Sequence, residues 1–198
     1  MRAGIFGGTF DPPHLGHVIL AREAARQLQL DQVFWVLTPD PPHKQGHRIT
    51  AAPLREAMVR ASIVGHPEFV YSDVDFRRPA PLYAVDTMRE FRQQFPDAYL
   101  AYIMGEDSLD DLPRWHTPRE FVAECDGIAV MQRVDRELNM EKLEESLPGL
   151  RQKTIFLKIE EVEISSSQLR ARVAHKQNWQ TLVDPLVAGI IEENHLYQ

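Results

Sequence analysis

Two glycines and two histidines near the start of the chain have the types and spacing expected of an anion-binding site. Gly7 and Gly8 follow the apolar, strand-like residues 3–6, and glycine allows backbone N–H groups to approach an anion closely. Apolar residues then recur at helical spacing from Leu15 to Leu28, which predicts a helix whose positive end faces the glycines. We therefore expect a turn at the glycines that cradles a phosphate group.

His14 and His17 lie three positions apart in the first turn of that predicted helix, so their imidazoles can face the same ligand. A neutral imidazole donates a hydrogen bond to phosphate, and it gains positive charge if the phosphate raises its pKa. A His-x-x-His pair is also compatible with a zinc site or with a helix cap exposed to solvent. A zinc site needs a further ligand, however, and no cysteine pair or acidic helix accompanies this one. The neighbouring glycines favour phosphate.

The whole segment 7–17, Gly-Gly-Thr-Phe-Asp-Pro-Pro-His-Leu-Gly-His, resembles the signature of the HxGH superfamily of nucleotidyltransferases. Later segments are similar to the nicotinate mononucleotide adenylyltransferase family within that superfamily, and they occur in the order expected of it. These segments are 41–44 (Pro-Pro-His-Lys), Tyr83 with Thr87, 105–109 (Gly-Glu-Asp-Ser-Leu) followed by Trp115, and 164–170 (Ile-Ser-Ser-Ser-Gln-Leu-Arg). The resemblance covers nearly the whole chain.

The resemblance implies transfer of an adenylyl group from ATP. The phosphate of a pyridine mononucleotide would attack the α-phosphorus of ATP in line, and pyrophosphate would leave; with nicotinate mononucleotide the product is deamido-NAD, in NAD biosynthesis. Because the nucleophile is already an anion, catalysis consists mainly of positioning and charge stabilisation. The implied cofactor is Mg²⁺, bound mainly through the phosphates of ATP, and no acidic pair in the sequence looks dedicated to a metal.

The resemblance also implies a role for each matching residue. The implied catalytic residues are His14, His17, Lys44 and Arg170. The implied ATP-binding residues are Gly7, Gly8, Thr9, Phe10, Gly16, Gly105, Asp107, Ile164, Ser165, Ser166 and Ser167. The residues implied to contact the pyridine mononucleotide are Asp11, Tyr83, Thr87 and Trp115. In this scheme the two histidines steady the reacting phosphates, whereas the lysine and the arginine neutralise the departing pyrophosphate.

Several of these residues also have a simpler structural interpretation. Lys44 follows a proline-rich stretch and is compatible with an ordinary surface lysine. The serines at 165–167 begin a predicted helix, and serine is among the preferred N-cap residues. The remaining alternatives are capping of the first helix by Asp11, capping of a short helix over 108–112 by Asp107, and core packing by Trp115.

Three positions depart from the family pattern around the mononucleotide. Leu82 and Ala84 stand where the family usually has hydroxyl residues, and His116 stands where it more often has tyrosine. Backbone N–H groups could still bind the nicotinate carboxylate. Alternative acceptors are therefore nicotinamide mononucleotide and phosphopantetheine, and a different class of function is a nucleotide-binding regulator without catalysis.

Strand-like runs alternate with helical runs, which predicts a doubly wound, Rossmann-like α/β fold with helices on both faces of a parallel sheet. Strands are predicted over 3–6, 33–37, 69–72, 99–104, 127–131 and 154–157. Helices are predicted over 14–28, 53–64, 83–95, 118–124, 140–146, 166–175 and 185–194. Ligands of such sheets lie beyond the carboxyl ends of the strands, so we expect most of the matching segments to gather there.

The composition is consistent with one domain, 1–198, with a C-terminal helical part (about 165–198) packed on it, because 198 residues that are 43% hydrophobic can bury a core. The net charge of −7, without runs of Lys and Arg, argues against nucleic-acid binding.

No signal peptide and no apolar run of roughly 20 residues is present, so we expect a cytoplasmic protein without membrane contact. Cys125 is the single cysteine, which excludes an internal disulfide. Homo-oligomer formation is left open.

Overall fold

The computed structural model describes residues 1–41, 49–132, 138–159 and 164–198. Within these ranges one sheet contains the strands β1 (Arg2–Gly8), β2 (Gln32–Leu37), β3 (Phe69–Ser72), β4 (Tyr99–Gly105), β5 (Gly127–Met131) and β6 (Thr154–Leu157). Neighbouring strands are parallel throughout, in the order β3-β2-β1-β4-β5-β6. The order reverses between β1 and β4, which is where a doubly wound sheet leaves a crevice for a ligand. The predicted Rossmann-like α/β fold is confirmed.

Helices occupy the connections, as the periodic apolar spacing predicts. They are α1 (Leu15–Leu28), α2 (Ala52–Ser62), α3 (Ala84–Gln94), α4 (Glu106–Asp111), α5 (Pro118–Glu124), α6 (Met140–Ser146), α7 (Leu150–Lys153), α8 (Ser166–Ala174) and α9 (Pro185–Glu193). The predicted elements are all present, with bounds that differ by at most two residues. Among the described residues, the elements that were not predicted are short: α7 and the 3₁₀ turns Val74–Arg77, Leu112–Arg114 and Gln180–Leu182, while α4 was considered only as an alternative over 108–112. Over the described ranges, no helix has the length and apolar character needed to cross a bilayer.

Both faces of the sheet are buried, and β4 illustrates why its sequence is apolar throughout. Successive side chains of a strand point to opposite faces. Leu100 and Tyr102 therefore join the apolar cluster that includes α3 and α5, whereas Ala101 and Ile103 join the cluster that includes α1. A parallel strand covered on both faces has no polar side of its own.

A third apolar cluster joins α2 to α8 and α9. Leu169 of α8 and Val187 and Ile191 of α9 are buried in the same cluster as Met58 of α2. Each aliphatic side chain of this size that leaves water stabilises the fold by roughly 1.5–3 kcal/mol. This packing places the segment after α9 near the start of α2 and near the loop after β1.

The end of β1 differs from the expectation. Gly7 and Gly8 do not form a turn; they continue the strand and pair with Val36 and Leu37 of β2. The loop that leads to α1 therefore begins at Thr9. The physical reason is that the ladder with β2 satisfies the backbone of both glycines, an interaction between distant segments that a local apolar pattern does not register.

Candidate active site

A cavity of about 680 Å³ lies at the carboxyl ends of β1 and β4, where the strand order reverses. This volume is in the range typical of small-ligand sites. Most of the sequence-predicted site residues line it: Gly7, Gly8, Thr9, Phe10, His14, Gly16, His17, Tyr83, Thr87, Gly105, Asp107, Trp115, Ile164, Ser165 and Ser166. The fold thus gathers segments that are up to about 160 positions apart around one cavity.

Gly7 and Gly8 are required by close packing rather than by a turn. A Cβ atom on Gly7 would lie 2.5 Å from the hydroxyl oxygen of Tyr102, and one on Gly8 would lie 2.9 Å from the ring of Phe10. Their missing side chains let both rings lie against β1 and leave the backbone of the strand on the cavity wall. The expected close approach of backbone to ligand is retained, although the expected turn is absent.

Phe10 has an unusual backbone in the loop of residues 9–14. Its φ is +45°, in the left-handed region that a non-glycine residue enters only at a cost. The ring is buried and stacks on Trp35 at 5.2 Å between centroids, and it meets His17 edge-on at the same distance. Burial in this aromatic cluster offsets the cost of the backbone and gives His17 a rigid neighbour.

His14 and His17 lie side by side, as their spacing predicts. Their ring centroids are 3.7 Å apart with 32° between the planes. The backbone N–H of His14 donates to Nδ1 of His17 at 3.1 Å. Because Nδ1 accepts that bond, the neutral imidazole of His17 carries its proton on Nε2. The backbone bond therefore selects the tautomer whose N–H lies on the far side of the ring.

Burial holds His14 as a neutral imidazole. It is 6% exposed, and burial lowers its pKa from 6.5 to about 4. Desolvation disfavours the charged form of a base, which explains the direction. The expectation that phosphate raises this pKa concerns the phosphate-bound state. Without that effect, the imidazole of His14 near pH 7 is an uncharged hydrogen-bond donor.

The start of α1 faces the cavity through His14, Gly16 and His17. His14 is the N-cap, with extended backbone dihedrals, so the positive end of the dipole of a 14-residue helix lies here. A Cβ on Gly16 would lie 3.0 Å from Nδ1 of His14, which explains why this position in the motif is glycine. The arrangement can bind an anion through N–H groups and the helix dipole without a full positive charge.

The start of α8 forms a second polar wall. Ser165 is its N-cap: its Oγ accepts from the N–H of Gln168 at 3.2 Å, while the Gln168 amide oxygen accepts from the N–H of Ser165 at 3.0 Å. This reciprocal capping box explains the presence of Ser165, in agreement with the interpretation of these serines as the start of a helix. Ser166 donates its hydroxyl to the carbonyl of Pro12 at 2.8 Å. Ile164, Ser165 and Ser166 line the cavity, whereas Ser167 does not.

Arg170 and Asp11 support the site from outside the cavity lining. The guanidinium of Arg170 donates to the backbone carbonyl of Asp11 at 2.7 Å and to Oγ of Ser167 at 3.2 Å. The Asp11 carboxylate accepts from the Tyr197 hydroxyl at 2.7 Å and from the N–H of Thr50 at 3.4 Å. Neither predicted residue is on the cavity wall, and Asp11 does not cap α1 either, since His14 does.

The opposite wall is aromatic. Tyr83 stacks on His116 with 4.0 Å between ring centroids and 20° between planes. Trp115 contacts Tyr102 and Phe121 and also lines the cavity, so it packs on the core and faces the site at once. Flat π-faces on this wall suit a planar heteroaromatic ring.

Thr87 belongs to a buried polar network that the sequence did not reveal. Its hydroxyl donates to Asp75 at 2.8 Å, and Arg78 contacts both the Asp75 carboxylate (2.6 Å) and the Thr87 hydroxyl (2.8 Å). Asp75 and Thr87 line the cavity. No helix or strand was predicted over 77–81, and only the tertiary structure places Arg78 beside these two groups.

Arg55 is the second support that sequence reasoning missed. It is 2% exposed and donates to the carbonyls of Thr9 (2.9 Å), Thr38 (3.0 Å), Pro39 (2.6 Å) and Thr50 (2.7 Å). Burial lowers its pKa. A signal was present in the sequence: in α2, Arg55 falls on the same helical face as Met58, Val59 and Ser62, all buried.

Lys44 lies outside the described residues, so its predicted role stays a prediction. Asp107 lies in the first turn of α4, which begins at Glu106 with Gly105 as its N-cap. The alternative of Asp107 as the cap of that helix is therefore wrong, because the strand β4 leads directly into the helix and the capping position falls two residues earlier. A Cβ on Gly105 would meet no atom within 4 Å.

The parallel sheet and the helix start at its point of reversal are those of an α/β nucleotide-binding fold, and the comparisons with known proteins place the chain in the class of nucleotidyltransferases. The model of the cytidylyltransferase-like family matches residues 5–172. A probable nicotinate-nucleotide adenylyltransferase from Thermomicrobium roseum is 39% identical over 197 residues, which are 100% of this chain and 92% of that protein. One from Dehalococcoides mccartyi is 38% identical, covering 100% and 97%. The chain belongs to the nicotinate-nucleotide adenylyltransferase family.

Solved structures agree with this fold. The nicotinic acid mononucleotide adenylyltransferase of Plasmodium falciparum, complexed with NaAD, superposes with a TM-score of 0.81 at 18% identity, covering 99% of this chain and 97% of that one. The same enzyme complexed with APC gives 0.78, with coverage of 99% and 96%. At this identity the likeness concerns the fold alone.

Proposed function

We propose that the protein transfers the adenylyl group of ATP to nicotinate mononucleotide, which yields deamido-NAD and pyrophosphate. One observation carries the proposal: the adjacent imidazoles of His14 and His17 and the start of α8 lie on the same cavity as the aromatic residues Tyr83 and Trp115. The first group suits phosphates and the second suits a planar ring. The full-length relatives named nicotinate-nucleotide adenylyltransferase support the same reaction.

In the proposed reaction the mononucleotide phosphate attacks the α-phosphorus of ATP. A bond forms between the attacking oxygen and phosphorus, and the bond to the β-phosphate breaks as pyrophosphate leaves with its electron pair. No protein group needs to remove a proton, because the attacking oxygen is already anionic. The protein therefore contributes alignment of the two phosphates and stabilisation of the negative charge that builds up between them.

The two histidines would have different parts in that reaction. His14 is buried and its lowered pKa keeps it neutral, so its part is to donate a hydrogen bond from a fixed position. His17 has its Nδ1 engaged by the backbone, which directs the proton to Nε2 and makes that atom the donor to a reacting phosphate. The N–H groups at the start of α1 add a positive potential on the same side.

The charge on the departing pyrophosphate requires a cation. We keep Lys44 as a proposed residue for this part. For Arg170 we propose a different part from the predicted one: its bond to the Asp11 carbonyl makes it a support of the loop. Mg²⁺ is proposed to arrive with ATP, since this ion retains waters and commonly binds through substrate phosphates with few protein ligands. When bound, it would neutralise phosphate charge.

The test is pyrophosphate release with ATP and Mg²⁺, with nicotinate mononucleotide, nicotinamide mononucleotide and phosphopantetheine offered in parallel. We expect strong preference for nicotinate mononucleotide. Release with nicotinamide mononucleotide alone would mean that the altered Leu82 and Ala84 positions change the acceptor. Binding of ATP without turnover of any acceptor would contradict the proposal and support a nucleotide-binding regulator.

His17→Ala tests the proposed catalytic part of this residue. We expect kcat to fall by roughly 10² or more, the effect of removing a donor to a transition-state oxygen, with little change in the free energy of unfolding. His175→Ala is the matched control, because His175 is exposed at the end of α8 and outside the cavity lining. Turnover of His17→Ala within a few-fold of the wild type would show that the assigned part is wrong.

A further inference from the structure

The loop of residues 9–14 determines where the two histidines lie, yet its own sequence does not favour its conformation. It joins β1 to α1 and ends at His14, the N-cap of α1. Phe10 is held at a φ of +45°, which non-glycine residues avoid. Contacts from other parts of the chain must therefore hold the loop in place.

Three of these contacts come from far along the chain. Ser166 donates to the carbonyl of Pro12 at 2.8 Å, and Arg170 donates to the carbonyl of Asp11 at 2.7 Å. The third comes from Tyr197, whose hydroxyl donates to Oδ1 of Asp11 at 2.7 Å across 186 positions of sequence. Of the three, only the Tyr197 contact reaches the loop through an acidic side chain.

The Asp11 carboxylate needs this partner. Asp11 is 5% exposed, and a buried carboxylate is costly unless donors satisfy its oxygens. The Tyr197 hydroxyl at 2.7 Å is a much closer donor than the N–H of Thr50 at 3.4 Å. Burial first, and then the charge of Asp11, raises the pKa of Tyr197, so the hydroxyl keeps its proton and remains a donor.

Tyr197 itself is placed by tertiary packing. It lies in the segment after α9, where both His195 and Tyr197 have positive φ values of 49° and 63°. Its side chain packs against the apolar cluster that includes Val187 and Ile191 of α9. The position of the hydroxyl thus depends on the packing of α9 against α2.

We propose that Tyr197 is a positioning residue: through its hydrogen bond to Asp11, it holds the loop of residues 9–14 in the conformation that places His14 and His17 for reaction. This inference rests on the proposed function. Tyr197 does not line the cavity, so its effect on turnover passes through Asp11 rather than through contact with a substrate. The same bond makes the end of the chain part of the reaction geometry.

The test compares Tyr197→Phe, Asp11→Ala and the double variant with the wild type. Tyr197→Phe removes one hydroxyl and retains the ring that packs on α9. We expect kcat to fall about ten-fold, since small displacements of reacting groups have effects of this order or larger. The KM for nicotinate mononucleotide should change by less than about two-fold, because the proposed ring-binding wall is made by other segments. In the Asp11→Ala background, which lacks the acceptor oxygen, the added Tyr197→Phe change should alter kcat by less than about two-fold, because residues that act through one contact are not additive.

The control is Tyr99→Phe. Tyr99 begins β4, at the edge of the sheet opposite the cavity, and its ring contacts the guanidinium of Arg2. We expect its kcat to match the wild type, so that any loss in Tyr197→Phe reports position rather than the loss of a hydroxyl as such.

Amide hydrogen exchange on the same samples provides a readout that does not depend on activity. In Tyr197→Phe we expect faster exchange in peptides covering residues 9–14, and unchanged exchange in the strands β4 and β5. Unchanged exchange in the loop, or faster exchange with kcat within two-fold of the wild type, would overturn the proposal. If the wild-type chain releases no pyrophosphate, the proposed function fails, and the exchange data still decide whether Tyr197 holds the loop.

Discussion

Replacement of His14 by asparagine should make the stability of the protein less sensitive to acid. Burial lowers the pKa of His14 from 6.5 to about 4 in the folded chain, whereas an unfolded chain returns it to about 6.5. As pH falls from 6.5 towards 4, the unfolded chain takes up a proton that the folded chain refuses, so stability is lost over that window. One pKa unit corresponds to 1.36 kcal/mol, so the full effect is about 3 kcal/mol.

The assay is urea unfolding at intervals between pH 7 and pH 4, followed by tryptophan fluorescence. Asparagine suits the substitution because it is among the best N-cap residues, and His14 is the N-cap of α1. Carboxylates and other histidines contribute the same pH dependence to both chains, so the difference between the wild type and His14→Asn isolates one group. His175→Asn, an exposed position, controls for the loss of an imidazole.

The quantity compared is the free energy of unfolding of His14→Asn minus that of the wild type. Between pH 7 and pH 4 we expect this difference to shift in favour of His14→Asn by about 3 kcal/mol, with most of the change below pH 6.5. Parallel curves for the two chains would refute the reasoning, because they would mean that His14 takes up protons equally in the folded and unfolded states. A shift of this difference in favour of the wild type as the pH falls would mean that the folded protein favours the charged imidazole.

Two further substitutions test the supports of the site. Gly7→Ala should lower the free energy of urea unfolding by about 1–3 kcal/mol, because its methyl group meets the Tyr102 hydroxyl at 2.5 Å, and adding Tyr102→Phe should recover part of the loss. The control is Gly189→Ala, whose added methyl group meets no atom within 4 Å. A loss in Gly7→Ala no larger than in this control would contradict the packing explanation. Arg55→Met should cost at least about 3 kcal/mol by the same measurement, because four carbonyls lose their donor, and these bonds are buried or partly buried. The exposed Arg60→Met in the same helix should cost less than about 1 kcal/mol, and similar losses in both variants would contradict the role assigned to Arg55.

The elements of the fold could be predicted from the sequence because each one buries a whole face or both faces. Residues 99–104, for example, are nearly all apolar, and a strand covered by helices on both sides requires that composition. The apolar spacing of 15–28 gave the correct helix for a similar reason, since one stripe of α1 faces the sheet. Local composition carries this information, and hence bounds were correct to within two residues.

Contacts between distant segments account for the differences. Gly7 and Gly8 were expected in a turn, but pairing with β2 extends the strand through both. Asp11 was expected at a substrate or as a helix cap, but Tyr197, 186 positions away, takes its carboxylate. The role of Arg170 at pyrophosphate stays a prediction, but its bond to the carbonyl of Asp11 is a contact that the sequence did not indicate. In each case the residue type indicated a hydrogen-bonding need without identifying the group that meets it.

The sequence by itself determined the fold class, because helix and strand periodicity are local properties of the chain, and the resemblance of segments such as 7–17 to a known family indicated most of the residues that gather at the cavity. Only the tertiary structure decided which of those residues face the cavity and which support it. That choice depends on burial and on donors supplied by Arg55, Arg170 and Tyr197. Its physical reason is that a buried carbonyl or carboxylate must be satisfied by whatever group the folded chain brings within about 3 Å.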